Sequence, residues 1–239
     1  MCTVDISNTV NPSLTSSQGD KIEMLKEIAR TILNHTVVTR SHLTPELALR
    51  LVTPTCPLWR ATEAELPFKD PFWAFYWPGG QATARFILDN GHFIAKNKKV
   101  LDIGCGCGAA AIAAAKYDAK YILANDIDLY ATTATEINAD LNGVHLHTTT
   151  ENLIGSQCEA FDTIIVGDMF YDEEFASMLF EWLRHLTAAG KTVLIGDPGR
   201  HGLTNKRMEN LTLIAKYQLS KECCIENNGF TEATVWKIR

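Results

Sequence analysis

Between Pro78 and Pro198 the chain carries no proline, and short apolar runs alternate there with stretches whose apolar residues recur three and four positions apart. The runs predict strands over about 99–104, 121–126, 144–149, 162–168 and 191–196, with helices between most of them. The clearest helix follows the fourth run: Phe175, Met178, Leu179, Trp182, Leu183 and Leu186 share one face behind Asp172, a candidate cap. Alternating strand and helix predicts a parallel, doubly wound α/β sheet. Past Pro198 the pattern becomes two further strands, about 212–220 and 232–238, joined through Glu226-Asn227-Asn228-Gly229 and predicting a closing antiparallel hairpin.

Upstream the pattern is less regular. Ile22, Leu25, Ile28, Ala29, Ile32 and Leu33 predict an amphipathic helix over about 20–34, opened by an Asp20/Glu23 capping box. Thr44-Pro45 reads as a cap with proline at the first helical position, predicting a short second helix through about Leu51. Pro54, Pro57, Pro67, Pro71 and Pro78 then break the chain into an irregular, aromatic-rich segment. Residues 1–20 are polar, with Asp5 and Asp20 but neither Arg nor Lys, which reads as a disordered tail and not as a secretory signal or basic presequence. The expected organisation is a tail over 1–19, a helical extension over 20–65 and a catalytic α/β domain over 66–239.

Composition narrows the function classes. No apolar run approaches the roughly 18 residues that span a bilayer. A formal net charge of −6 with no basic concentration argues against a bulk nucleic-acid binder and leaves a protein or small molecule as partner. The seven cysteines form no C-x-x-C pair, so free thiols are expected, with Cys105 and Cys107 serving as small residues. No metal-ligand spacing and no serine nucleophile elbow is found, which disfavours metalloenzyme and hydrolase chemistry.

The candidate chemistry begins at Val100-Leu101-Asp102-Ile103-Gly104-Cys105-Gly106-Cys107-Gly108, a strand running into a glycine hinge ahead of an alanine-rich helix. Three glycines without Cβ atoms allow positive φ and let a ligand lie on the backbone. The loop alone also satisfies a dinucleotide pattern. Asp126, at the tip of the second strand, is placed to hold ribose hydroxyls in either cofactor, so the pair indicates adenosine. The terminal hairpin favours a seven-stranded, Rossmann-like sheet, and too few residues remain for a dehydrogenase's substrate domain. The balance therefore moves to S-adenosylmethionine. Asp168 and Tyr171, after the fourth strand, should line the same crevice; the Trp77-Pro78-Gly79-Gly80 turn could wall it, its glycines admitting a ligand, while Trp73 and Phe75 read as core. Asp197 and Arg200 stand at the same rim and could shape the entrance for a peptide.

Five ordered stretches carry a resemblance: Leu43-Thr44-Pro45-Glu46, Tyr76-Trp77-Pro78-Gly79-Gly80-Gln81, Leu123-Ala124-Asn125-Asp126-Ile127-Asp128, Gly167-Asp168-Met169-Phe170-Tyr171-Asp172 and Ile195-Gly196-Asp197-Pro198-Gly199-Arg200. Over about residues 40–239 the chain resembles the seven-β-strand protein lysine methyltransferases with Asp-x-x-Tyr after the fourth strand, and among them the electron transfer flavoprotein β-subunit lysine methyltransferases. The resemblance implies a class I S-adenosylmethionine-dependent fold, a monomer, methyl transfer to lysines of that β-subunit, and residence in the mitochondrial matrix; with no presequence visible, the cytoplasm is the alternative. It also implies cofactor binding by Trp77, Asp102, Gly104, Gly106, Gly108, Asp126 and Asp168, with Asn152 flanking adenine. Asp168 and Tyr171 would position the lysine, Asp168 by hydrogen bonding, with the proton lost to water. Alternatives are a small-molecule or nucleobase N-methyltransferase on the same fold, or a non-catalytic flavoprotein-binding protein.

Overall fold

The computed structural model describes residues 16–62, 65–227 and 229–239. The expected tail lies outside the described residues up to position 15, and 16–19 are already helical. Helix α1 spans Ser16–His35, so Asp20 lies inside it and caps nothing. Once a helix is nucleated, each further residue adds one hydrogen bond, and the helix runs through Gly19 despite the cost of about 1 kcal/mol that glycine carries relative to alanine.

Seven strands form one sheet in the order β5-β4-β3-β6-β7-β9-β8: β3 (Lys99–Ile103), β4 (Tyr121–Asn125), β5 (His147–Thr149), β6 (Thr163–Gly167), β7 (Thr192–Asp197), β8 (Leu211–Gln218) and β9 (Glu232–Ile238). All neighbours from β5 to β7 are parallel, and β9 runs antiparallel between β7 and β8. The terminal antiparallel pair is thus present. Its connection, however, carries a helical turn, α7 (Lys221–Glu226), capped by Ser220 through the Cys223 amide.

Strand periodicity explains the two-sided core. Val100, Ile122, Ala124 and Ile165 face a layer containing α2 (Pro78–Ile94) and α3 (Ala109–Ala115). Their neighbours Leu101, Ile103, Ile164, Val166, Val193 and Ile195 face α5 (Glu173–Ala188), whose buried Leu179, Leu183 and Leu186 confirm the apolar stripe. Asp172 caps α5 by accepting from the Phe175 amide.

The segment before the sheet departs from expectation. In place of a second helix over 44–51, Leu49–Leu51 forms β2 and pairs antiparallel with β1 (Val37–Thr39). The reason lies in α4 (Leu129–Leu141), whose asparagines offer partners that a helix could not use. Asn138 accepts from the Arg50 amide at 2.7 Å; Asn142 accepts from the Ala48 amide at 2.9 Å and donates back to its carbonyl at 2.7 Å. Helix α1 and the aromatic segment that follows β2 then cover α4, burying Ile28, Ile32, Phe68 and Trp73 against Ala131 and Ala134. Trp73 is core, as expected, and stacks on Tyr130.

Asn138 is fully buried, and its other amide edge donates to the Cys107 carbonyl at 2.9 Å, so one side chain joins the extension to the glycine loop. Asn138→Ala leaves the Arg50 amide and the Cys107 carbonyl without partners and should cost about 2 to 3 kcal/mol in urea unfolding. A loss within roughly 0.5 kcal/mol, the range of ordinary surface changes, would show that the bridge carries no stability.

Candidate active site

Strand β3 ends in a loop with three left-handed glycines, Gly104 (φ 65°), Gly106 (φ 52°) and Gly108 (φ 80°). A Cβ on Gly104 would strike the Met169 sulfur and one on Gly108 would strike Thr135, so two of the three are enforced by neighbours as well as by backbone angle. Gly106 differs: a Cβ there would meet nothing nearer than the Trp73 backbone at 3.8 Å, which leaves its face open. Thr135 and Asn138 of α4 hold the loop's Gly106 and Cys107 carbonyls from behind.

Asp102 lies beneath this loop and not on its face. Its buried carboxylate accepts from the Ala111 amide at 3.1 Å, satisfying one of the free N–H groups in the first turn of α3. Burial, reinforced by the charge of Asp126, pushes it up to about 7 despite the Ala111 bond. Cys105 and Cys107 are buried in the core, and burial pushes Cys107 up to about 12 and Cys105 well above the usual thiol range. Both are inert small residues.

At the tip of β4, Asp126 accepts from the Gly106 amide at 3.0 Å and the Asp128 amide at 3.1 Å. A carboxylate offers about four lone-pair positions, so two remain for a ligand. Burial raises its pKa above the usual range, with those two amides opposing. Ile127 beside it is 75% exposed. Tyr171, 55% exposed and stacked on Phe175, is raised first by burial and then by the charges of Asp126 and Asp172. Asn152 is exposed and closes its own turn by accepting from the Ile154 amide.

The Trp77-Pro78-Gly79-Gly80 turn begins α2, with Trp77 as the residue before the helix and Pro78 in its first turn. Gly79 of this turn makes room for backbone. A Cβ on Gly79 would meet the Gly196 carbonyl and the Asp168 nitrogen, and one on Gly167 would meet Gly80. Backbone therefore packs on backbone at the ends of β6 and β7. No ligand is needed to explain these two glycines.

That contact positions Asp168. Its side chain is only 3% exposed and its φ is +62°, a left-handed conformation that aspartate tolerates better than most residues. Oδ2 accepts from the Gly79 amide at 2.6 Å, and Oδ1 accepts from Arg200 Nε at 2.6 Å. The Arg200 guanidinium lies 5.5 Å from the centre of the Trp77 ring and 4.9 Å from that of Phe230. Burial pushes Asp168 up, and the Arg200 charge and Gly79 amide hold it back. Asp197, fully buried at the end of β7, spends Oδ1 on the Gly199 and Arg200 amides, fixing the turn from which Arg200 projects. Its Oδ2 has no hydrogen-bond partner among the described residues, and burial pushes the group up to about 7.

The loop, Asp126, Asp168, Tyr171 and Trp77 thus gather at the carboxyl ends of β3, β4 and β6, where doubly wound sheets bind ligands. Met169 touching Gly104 joins the two halves. Asp102 is behind the surface. Arg200 was expected at the rim but not against Asp168, and Phe230 was not singled out at all; an isolated aromatic after a glycine carries no sequence signal of its position.

The family model for ribosomal protein L11 methyltransferase matches residues 79–194. Among solved structures, the N-methyltransferase NodS of Bradyrhizobium japonicum, crystallised with S-adenosyl-L-homocysteine, superposes at a TM-score of 0.50 with 18% identity, covering 74% of this chain and 95% of that one. The fold is that of class I S-adenosylmethionine-dependent methyltransferases. Similarity in sequence is much closer elsewhere. The electron transfer flavoprotein beta subunit lysine methyltransferase of Xenopus laevis is 49% identical, covering 87% of this chain and 85% of its own length. The human protein of that name is 42% identical, covering 88% and 81%. At such identity over nearly the whole of both partners, the chain belongs to the electron transfer flavoprotein beta subunit lysine methyltransferase family.

Proposed function

We propose that this chain transfers methyl groups from S-adenosylmethionine to lysine side chains of the electron transfer flavoprotein β-subunit, and that it does so in the mitochondrial matrix. The observation that carries the reading is the junction of an open-faced glycine loop with a buried carboxylate, Asp168, whose partner Arg200 lies against the Trp77 and Phe230 rings. The names borne by relatives at 42–49% identity supply the substrate.

The residues fit the cofactor. Gly106 leaves backbone open, Asp126 retains lone pairs for two ribose hydroxyls, and exposed Ile127 offers an apolar surface for a base. S-adenosylmethionine, when bound, supplies an electrophilic methyl group on a sulfonium. The chain's own task is alignment: Trp77 walls the lysine stem, Asp168 accepts a hydrogen bond from its nitrogen, and Tyr171 closes the slot. Asn152 is assigned to the adenine side. Asp102 acts through the loop as a positioning residue, anchoring α3 beneath it.

Incubation with labelled S-adenosylmethionine and recombinant β-subunit should place label on β-subunit lysines. Label appearing in nucleic acid or a metabolite extract, with none on the β-subunit, would overturn the substrate. Asp168→Asn should lose turnover while S-adenosylmethionine still binds by calorimetry; full turnover in this variant would remove Asp168 from the reaction.

Asp197 makes the site's stability depend on pH. Its folded pKa of about 7 lies above the ordinary 3.8, so folding favours the protonated form. The contribution is complete below about pH 4 and is lost as pH rises to about 7. Urea unfolding between pH 5 and 8 should show wild-type stability falling relative to Asp197→Asn, the gap levelling above about pH 7. Parallel profiles for the two proteins would mean that Asp197 is ionised throughout.

A further inference from the structure

We propose that Arg200 is a resident cation in the seat of the substrate lysine, and that the incoming lysine must displace it. The inference rests on the reading of Asp168 as the group that receives the lysine nitrogen. Its basis is geometric. A carboxylate and two aromatic rings from three separate segments, Asp168 after β6, Trp77 before α2 and Phe230 before β9, surround one position, and a side-chain cation already fills it. The Nε–Oδ1 distance is 2.6 Å and both cation–ring distances fall within the roughly 6 Å range of favourable contact.

The chemistry of that seat matches an alkylammonium as well as a guanidinium. Aromatic faces attract either cation, and the carboxylate accepts a hydrogen bond from either. What distinguishes Arg200 is how it is mounted. Asp197 fixes the backbone amides of Gly199 and Arg200, so the base of the side chain is anchored while its guanidinium end is free to leave by rotation about side-chain bonds. The side chain is 17% exposed, which puts it at the mouth of the seat, with Asp168 beneath it at 3%.

Two consequences follow. With the seat filled by its own cation, Asp168 is never left as a bare buried charge, a condition that would be strongly destabilising. Free amines in solution must also compete with an intramolecular cation and bind weakly, whereas a lysine presented by a docked protein surface can draw on binding energy from the rest of the interface to displace it. Arg200 is thereby a specificity-determining residue, selecting lysines that arrive as part of a protein.

The test uses n-butylammonium as a probe of the lysine side chain, with no flavoprotein and no turnover, so it stands whether or not the β-subunit proves to be the substrate. By saturation-transfer NMR, Arg200→Met should bind the probe about tenfold more tightly than wild type, a change of the size that one cation–ring contact supplies. Adding Asp168→Asn to Arg200→Met should abolish that gain, and millimolar guanidinium should compete with the probe in Arg200→Met. Equal binding to wild type and Arg200→Met would overturn the proposal. Arg200→Lys, which keeps a cation on the seat, should bind the probe as weakly as wild type does. Wild type supplies a measurement that needs no variant: saturating n-butylammonium should move the Arg200 Nε–H resonance away from its carboxylate-bonded position, and binding that leaves this resonance unmoved would equally defeat the proposal. In turnover with protein substrate, Arg200→Met should show a lower KM and become inhibitable by guanidinium; activity that is low and restored by guanidinium would make Arg200 a support for Asp168.

Discussion

Everything at the site depends on a contact in which no side chain takes part. Gly79 and Gly80 of α2 lie directly on Gly167 and Gly196, the last positions of β6 and β7 in register with one another. Any Cβ at Gly79, Gly167 or Gly196 would overlap backbone, and backbone cannot move aside as a flexible side chain does. The contact sets the start of α2 at the strand ends. Its first free amide, on Gly79, therefore points at Asp168, and Trp77, one residue outside the helix, stands over the neighbouring crevice. A helix N-terminus carries partial positive charge, so it supports the carboxylate electrostatically as well as by hydrogen bond.

From that anchor the electrostatics follow. Three charged groups, Asp168, Asp197 and Arg200, crowd the ends of two adjacent strands, two of them fully or nearly fully buried. A single arginine cannot neutralise two ionised carboxylates in a dry environment. The arrangement closes if Asp197 holds its proton near neutrality, which is what its burial and its proximity to Asp168 favour. Asp197 then serves as a neutral scaffold for the Arg200 turn, while Asp168 carries the negative charge that pairs with Arg200.

The parts legible in the sequence were those whose signal is local. Short apolar runs marked the strands of the sheet, Leu179, Trp182, Leu183 and Leu186 of the predicted α5 stripe are buried although Met178 is exposed, and Asp126 stood where a strand tip must be. Helix α2 was not separated from its surroundings, because Pro78-Gly79-Gly80 reads as a turn until Gly167 and Gly196 are known to lie beneath it. The same limit applies to β2: Thr44-Pro45 is a sound local start signal, but Asn138 and Asn142, more than eighty residues later, claim the amides of Ala48 and Arg50. At the site, Asp168 and Tyr171 were visible as a spaced pair. The pairing of Asp168 with Arg200 and the ring of Phe230 were not, since the first needs β6 and β7 side by side and the second needs β9 folded back beside β7.

The placement of Asp168 bears on how a lysine loses its proton in the proposed reaction. A free lysine with pKa near 10.4 needs roughly 4 to 5 kcal/mol to become neutral at pH 7. A bare carboxylate would add to that cost by favouring the charged amine, whereas desolvation against aromatic rings reduces it. Asp168 is not bare: its Oδ2 is already shared with the Gly79 amide at the start of α2, which drains part of its field. It is also poorly placed to take the proton away, because it is buried and its partners among the described residues, Arg200 and Gly79, are both donors. Orientation of the amine is therefore the role these contacts leave for Asp168, with the proton lost to water in the proposed reaction.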